Sequence, residues 1–168
     1  MSQFPSLKPA FTIKVTIDAP LAVGSLSRSN PLQVIPMTGG SFKSDSNFSP
    51  SVDSEFVGVG NDYIHADADG KHLRLNAHSV IKTHDGALIY VNYTGIVTLS
   101  AAVQAVFSGS ADEGSTPFGD AFTHFTFETG DARYKQLEHG VFVAQGRFNV
   151  HKDKSIVVEY RVSQVVHA

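Results

Sequence analysis

Three stretches of the chain place ionisable or polar side chains inside otherwise apolar, strand-like runs. In Leu73 to Thr83, Arg74, Asn76 and His78 alternate with Leu73, Leu75, Ala77, Ser79 and Ile81. A period of two puts the polar groups on one face and the apolar ones on the other. If the polar face is the inner one, its groups must hydrogen-bond to each other, to water or to a ligand. If it is the outer one, Leu73, Leu75 and Ile81 fill the interior, and alternation alone does not choose between the two. A second run, Ala87 to Leu99, follows Asp85-Gly86, a pair favoured in two-residue hairpin loops because both of its residues take positive φ there. That loop pairs His84 with Ala87, Lys82 with Ile89, Val80 with Val91 and His78 with Tyr93. Arg74 and Tyr93 would then polarise a carbonyl or phenol oxygen.

The second stretch is Gly58-Val59-Gly60-Asn61-Asp62-Tyr63. Its glycines allow a close backbone approach, and Asp62 follows beside an aromatic ring. A carboxylate in a partly apolar pocket has a raised pKa and moves protons near neutrality. The competing reading is a turn aspartate that caps its own backbone. No helix or βαβ unit follows, so the glycines are not a dinucleotide fingerprint. The third stretch, Phe127 to Tyr134, ends a strand in a turn dense in ionisable groups. Glu128 is its candidate for the pocket, whereas Asp131 and Arg133 suit a local surface ion pair. The expected acid–base set is therefore Asp62, His78 and Glu128, with Tyr63, Arg74, Asn76, Tyr93 and Phe127 as substrate-binding residues.

No metal and no organic cofactor is expected. The chain has no cysteine, which excludes thiolate nucleophiles and zinc–thiolate sites. Its eight histidines form neither a His-x-His pair nor a His-Glu-x-x-His helix. Asp67-Ala68-Asp69-Gly70 resembles the start of a calcium loop without its later ligands. A Gly-x-Ser-x-Gly nucleophile elbow is also missing.

The elements that must position these residues are short strands. Phe11, Ile13, Val15 and Ile17 alternate with polar residues, Gln33 to Met37 is a further short strand, and Phe42 to Pro50 suits a loop or irregular edge. Ile96 to Phe107 fits either strand or a short helix. Ala121 to Glu128 alternates again, and Val141–Val150 with Ser155–Val166 forms a hairpin around Lys152-Asp153-Lys154. Eight or more such runs define an all-β chain: an antiparallel β-barrel with little helix, one domain over residues 1–168. Residues 1–10 are expected to be an N-terminal arm and 108–119 a mobile loop.

A formal charge of −3 with scattered Lys and Arg leaves no electrostatic footprint for nucleic acid. No run approaches the roughly 20 apolar residues of a membrane-spanning helix, and the N-terminus lacks the basic start and apolar stretch of a signal peptide. These features point to a cytoplasmic protein whose partner is a small molecule, with neither nucleic acid nor membrane. Small barrels leave edges and apolar patches that oligomers cover, so a homodimer or larger homo-oligomer is expected.

Ile35-Pro36-Met37-Thr38-Gly39-Gly40-Ser41-Phe42, Gly58 to Tyr63, Lys82 to Val91, Phe127 to Tyr134, Val141-Phe142-Val143 and Tyr160-Arg161-Val162 occur in an order that resembles domain-of-unknown-function family 3237. The resemblance runs from about Phe11 to Val166. It implies an antiparallel barrel that often self-associates. Some fungal members belong to natural-product pathways, which implies cyclisation, isomerisation, dehydration or pericyclic chemistry without a cofactor. The family's aspartate is kept as Asp62, Tyr63 stands where a tryptophan is usual, and His78-Ser79 stands where an Arg-Tyr pair is usual. The expected function is a cofactor-free cyclase or isomerase acting on a small apolar or polyketide-like metabolite. The alternatives are a non-catalytic barrel that binds a small hydrophobic ligand, and a structural oligomer whose interior is filled by its twelve phenylalanines.

Overall fold

The computed structural model describes residues 3–168. In chain order the elements are β1 (Ser6–Ile17), β2 (Leu21–Gly24), β3 (Leu32–Ser44), β4 (Asp53–Ala66), β5 (His72–Thr83), β6 (Leu88–Thr98), α1 (Ala101–Phe107), β7 (Gly114–Ser115), β8 (Ala121–Thr129), a 3-10 helix (Ala132–His139), β9 (Phe142–Val150) and β10 (Ile156–Val166). Strands β3, β4, β5, β6, β8, β9 and β10 pair in that order, all antiparallel. β1 closes the sheet by bonding to β10 on one edge and to β3 on the other. The result is the expected antiparallel barrel, closed with eight strands. β2 extends the β3 edge, and β7 pairs with the end of β9.

One expectation about the periphery changes. The N-terminal arm is barrel wall from Ser6 onward, paired as far as Val166; Met1 and Ser2 lie outside the described residues. Segment 108–119 is fastened at several points. The Lys154 ammonium donates to the Ala111 carbonyl at 2.7 Å, and β7 pairs with β9. The Thr116 amide donates to the Phe148 carbonyl at 2.9 Å, and the Phe148 amide donates back to Thr116 Oγ1 at 3.0 Å. Ile96 to Phe107 divides into strand and helix at Ser100, whose hydroxyl accepts from the Val103 amide as an N-cap.

Apolar residues fill the barrel unequally. In the half nearest the β5–β6 turn, Phe11, Phe42, Phe48, Phe127 and Phe142 pack with ring centroids 4.7–6.1 Å apart, mostly tilted or edge-on. Each buried ring contributes about 1.5–3 kcal/mol by burial, with about 0.5–1.5 kcal/mol more per aromatic pair. Tyr134 and Leu137 of the 3-10 helix are buried beside this half. The opposite half, where Val103 and Val106 of α1 are buried, holds the polar groups described below. Among the described residues no helix is long and apolar enough to cross a membrane.

The β5–β6 hairpin corrects the expected register. Thr83, not His84, pairs with Ala87: the Thr83 amide donates to the Ala87 carbonyl at 2.9 Å, and the Gly86 amide donates to the Thr83 carbonyl at 2.9 Å. The loop therefore holds three residues, with Gly86 at φ +93°. Asp85 draws the extra residue into the turn because its carboxylate accepts from Thr83 Oγ1, Arg133 and Tyr134. A slip of one residue reverses the facing of every pair. Tyr93 now lies opposite Ala77, on the inner face, and His78 lies opposite Asn92.

β4 bulges between Phe56 and Gly60, where its pairing with β5 shifts. Gly60 then passes so close to β5 that a Cβ there would meet the His78 carbonyl oxygen and the Ser79 side chain. A Cβ at Gly86 meets nothing within 4 Å and faces only the strain of its positive φ. Gly60→Ala is expected to lower stability by about 1–3 kcal/mol through overpacking, and Gly86→Ala by about 1–2 kcal/mol. Only the first should perturb the amide resonances around Asp62. Urea unfolding and a backbone NMR spectrum of each variant check this.

Candidate active site

The bulge delivers Asp62 to the inner face of β4, two residues past Gly60. The residue is 6% exposed and lines a small cavity of about 30 Å³. The walls come from Ile64, Leu73, Leu75, Val97 and Val158, with Tyr93 and Tyr160 as the phenolic members. One oxygen, Oδ1, accepts the Asn76 backbone N–H at 3.0 Å. Among the described residues no Lys, Arg or His forms an ion pair with it. Burial therefore dominates and pushes the carboxyl up to about 7; the Asn76 amide opposes this only in part.

Tyr93 and Tyr160 stand beside it with ring centroids 5.2 Å apart. Burial is the main reason both hydroxyls stay protonated far above neutrality; Tyr160 and then the Asp62 carboxylate add to it for Tyr93, and the Asp62 carboxylate adds to it for Tyr160. The Tyr93 hydroxyl also lies 3.5 Å from Met37 Sδ. The cavity thus joins one carboxyl that changes protonation near pH 7 to two phenols that stay neutral donors. Such a set can move a proton and stabilise an oxygen that gains negative charge. Beyond the cavity, at the end capped by α1, is a more open space of about 320 Å³. Ile17, Ile35 and Phe107 line both spaces.

The other expected site residues are dispersed. Tyr93 is inside with Asp62, whereas Phe127 is inside but packs in the phenylalanine cluster at the other end. Asp62 and His78, expected in one pocket, face opposite sides of the wall, because Asp62 pairs with Ala77 and His78 with the adjacent Asn61. His78 is half-buried on the outer surface, with Nδ1 2.5 Å from the Tyr90 hydroxyl. Tyr63 is exposed near it, ring centroids 6.1 Å apart. Glu128 is exposed on the outer face opposite Tyr90. Arg74 turns outward and grips Asp67 with N–O distances of 2.8–3.2 Å. Asn76 has its side chain outside, so its contribution to the site is its backbone N–H.

Tyr160 is the functional candidate that sequence reasoning missed. It alternates with Val158 and Val162 along β10, and a phenol in an apolar stripe carries the same signal as a carboxylate there. Asp67, Asp69 and His72 are the described groups close enough together to share an ion. They sit in the β4–β5 turn, where Asp67 is already held by Arg74.

The class of fold is a closed antiparallel barrel. The sequence profile of the family described as protein of unknown function (DUF3237) matches residues 5–165, and the chain belongs to that family. It is 31% identical over 139 residues to a UPF0311 protein of Clostridium acetobutylicum, covering 79% of this chain and 80% of that one. Among solved structures it is similar to a conserved protein of unknown function from Rhodopseudomonas palustris (TM-score 0.77, 23% identity, 98% and 100% of the two chains). It is similar also to a beta-barrel like protein from Acinetobacter baumannii (TM-score 0.72, 23% identity, 98% of each chain). A third similar structure is an enzyme from Penicillium herquei (TM-score 0.63, 19% identity, 98% and 97%).

The raised carboxyl makes stability depend on pH. Below about pH 4, Asp62 is protonated in both the folded and the unfolded chain. Between about 4 and 7 the unfolded chain releases this proton and the folded chain keeps it, so stability falls as pH rises. Above about 7 both states are ionised and the loss levels off at about 4 kcal/mol. Asp62→Asn lacks this dependence. The variant is expected to gain on the wild type by several kcal/mol between pH 4 and pH 8, as measured by urea unfolding at each pH.

Proposed function

We propose that the chain is an acid–base enzyme that isomerises, dehydrates or cyclises a small, largely apolar metabolite in natural-product biosynthesis. The observation that carries this reading is the unpaired, buried Asp62 in an apolar cavity beside two phenols. A carboxyl without a counter-ion lowers stability at neutral pH, and its use is a proton held ready at the pH of catalysis. In the reaction Asp62 takes a proton from one substrate position or gives one to another. Tyr93 and Tyr160 donate hydrogen bonds to the enolate, phenolate or carbonyl oxygen whose charge changes. The carboxyl and phenols supply this proton chemistry themselves, without an organic cofactor. Apolar walls then hold the substrate in a reactive fold, a positioning effect worth on the order of 7 kcal/mol in favourable cases. That a barrel of the same shape from Penicillium herquei is an enzyme supports catalysis on this scaffold.

The test is proton exchange. In deuterium oxide, a panel of small neutral enols and hydroxyaryl ketones is incubated with the protein, and deuterium incorporation is followed by NMR. The wild type is expected to exchange at least one of them. Asp62→Asn should slow that exchange about 100- to 10,000-fold while still binding the compound. Tyr160→Phe should slow it about 10- to 1,000-fold through loss of a donor to the charged oxygen. The outward-facing changes His78→Gln and Glu128→Gln should leave the rate within about twofold, because neither side chain reaches the cavity. Full activity in Asp62→Asn would remove the acid–base reading and leave a ligand-binding barrel.

A further inference from the structure

The cavity at Asp62 is too small for an organic substrate of ordinary size: sites for such molecules run from about 300 Å³ upward, and this one holds about 30 Å³. The adjoining space of about 320 Å³ is large enough but lies farther out. Phe107 lines both, and among the described residues it is the one aromatic ring that does so. It is the last residue of α1, followed by Ser108 and then by Gly109 at φ +74°. Its ring is half-buried and packs edge-on against Phe148 at 5.2 Å. The helix itself is anchored by other groups: Val103 and Val106 are buried, and the Ser100 hydroxyl caps the N-terminus and donates to Asp120 at 2.7 Å. None of these anchors of α1 involves the Phe107 ring.

We propose that Phe107 is the specificity-determining residue of the Asp62 site, its ring occupying the place of an uncharged, flat, largely aromatic substrate. The proposal rests on the reading of Asp62 as the reacting acid. When the ring moves aside, the two spaces join. The substrate's hydroxyl or carbonyl oxygen then leads inward to Asp62 and the phenols. Its apolar body replaces the Phe107 ring against Ile17, Ile35 and Phe148. None of these walls carries charge, so a charged body would lose its hydration without a partner. Among the described residues that line the larger space, the charged ones are Asp18 and Lys154. The size of residue 107 then sets how large a ring system reaches the carboxyl.

The test uses 2-naphthol, whose fluorescence reports affinity, and a protein labelled with 13C at aspartate carboxyls, in which the Asp62 resonance reports location. Wild type, Phe107→Ala and Phe107→Trp are compared, with Phe107→Leu replacing the alanine variant if circular dichroism shows that one unfolded. An open state populated at about 1–10% weakens apparent binding in proportion, so removing the ring should tighten 2-naphthol binding about 10- to 100-fold. Phe107→Trp should weaken it below the wild-type value. The Asp62 resonance should move on binding to the smaller variant, and naphthalene-2-sulfonate should bind that variant at least about tenfold more weakly than 2-naphthol. Equal affinity in all variants, with the Asp62 resonance still moving, would overturn the role of Phe107 and leave the Asp62 site standing. Tight binding that leaves Asp62 unmoved would overturn the Asp62 site and this inference with it. Equal binding of the sulfonate would overturn the uncharged class.

Discussion

β1 is hydrogen-bonded along both edges, to β10 and to β3, and this double pairing turns a sheet into a barrel. Closure removes the two open edges that a sheet of this length would expose. It also creates an interior that water does not freely enter. Every group on the inner face is then judged by a single criterion, whether it can give up hydration. Most residues there satisfy it by being aliphatic or aromatic. Ser54 satisfies it by donating to the Phe42 carbonyl at 3.1 Å, and Ser79 by donating to the Val59 carbonyl at 2.9 Å. Among the described residues Asp62 has only the Asn76 amide, which does not offset its burial, and the carboxyl is displaced toward neutrality.

The two ends of the barrel divide the work that follows. One end is filled with interlocking phenylalanines and carries the packing that keeps the chain folded. The other end tolerates a carboxyl and two phenols in a small cavity under a short helix. Polar groups of the outer wall meet different conditions. Arg147 and Arg161 close on Glu159 at 2.8 Å each, and Arg147 also lies over the Phe118 ring, 4.7 Å from its centroid. There a buried carboxylate is fully paired, whereas Asp62 has no cationic partner among the described residues. The contrast within one strand system is that two arginines neutralise Glu159 whereas burial alone sets the state of Asp62.

The barrel was legible because period-two alternation and turn residues are local signals. They were strong in β1, β5, β8 and β10, and even the helix at Ala101–Phe107 was visible as a weakening of β character. Asp62 was legible for a similar reason: glycines followed by an acid beside an aromatic predict a close approach and a burial. What could not be read was which face turned inward. A two-residue Asp85-Gly86 loop groups Tyr93 with His78; the loop holds three residues because of bonds from Arg133 and Tyr134, distant in sequence, to Asp85. Arg74 and Glu128 were polar groups in the right strands on the wrong face. Tyr160 was overlooked because its partner Asp62 lies 98 residues away in sequence, a separation that only closure of the barrel removes.

Titration of the Asp62 carboxyl carbon by 13C NMR in the intact protein addresses the central claim most directly. The account predicts a midpoint near 7, far above the ordinary aspartate value of 3.8, with the Tyr93 and Tyr160 ring signals moving over the same range as the charge appears beside them. A midpoint near 4, with both tyrosines unmoved through neutrality, would mean that the carboxyl is hydrated or paired, and that the barrel holds no acid poised for catalysis.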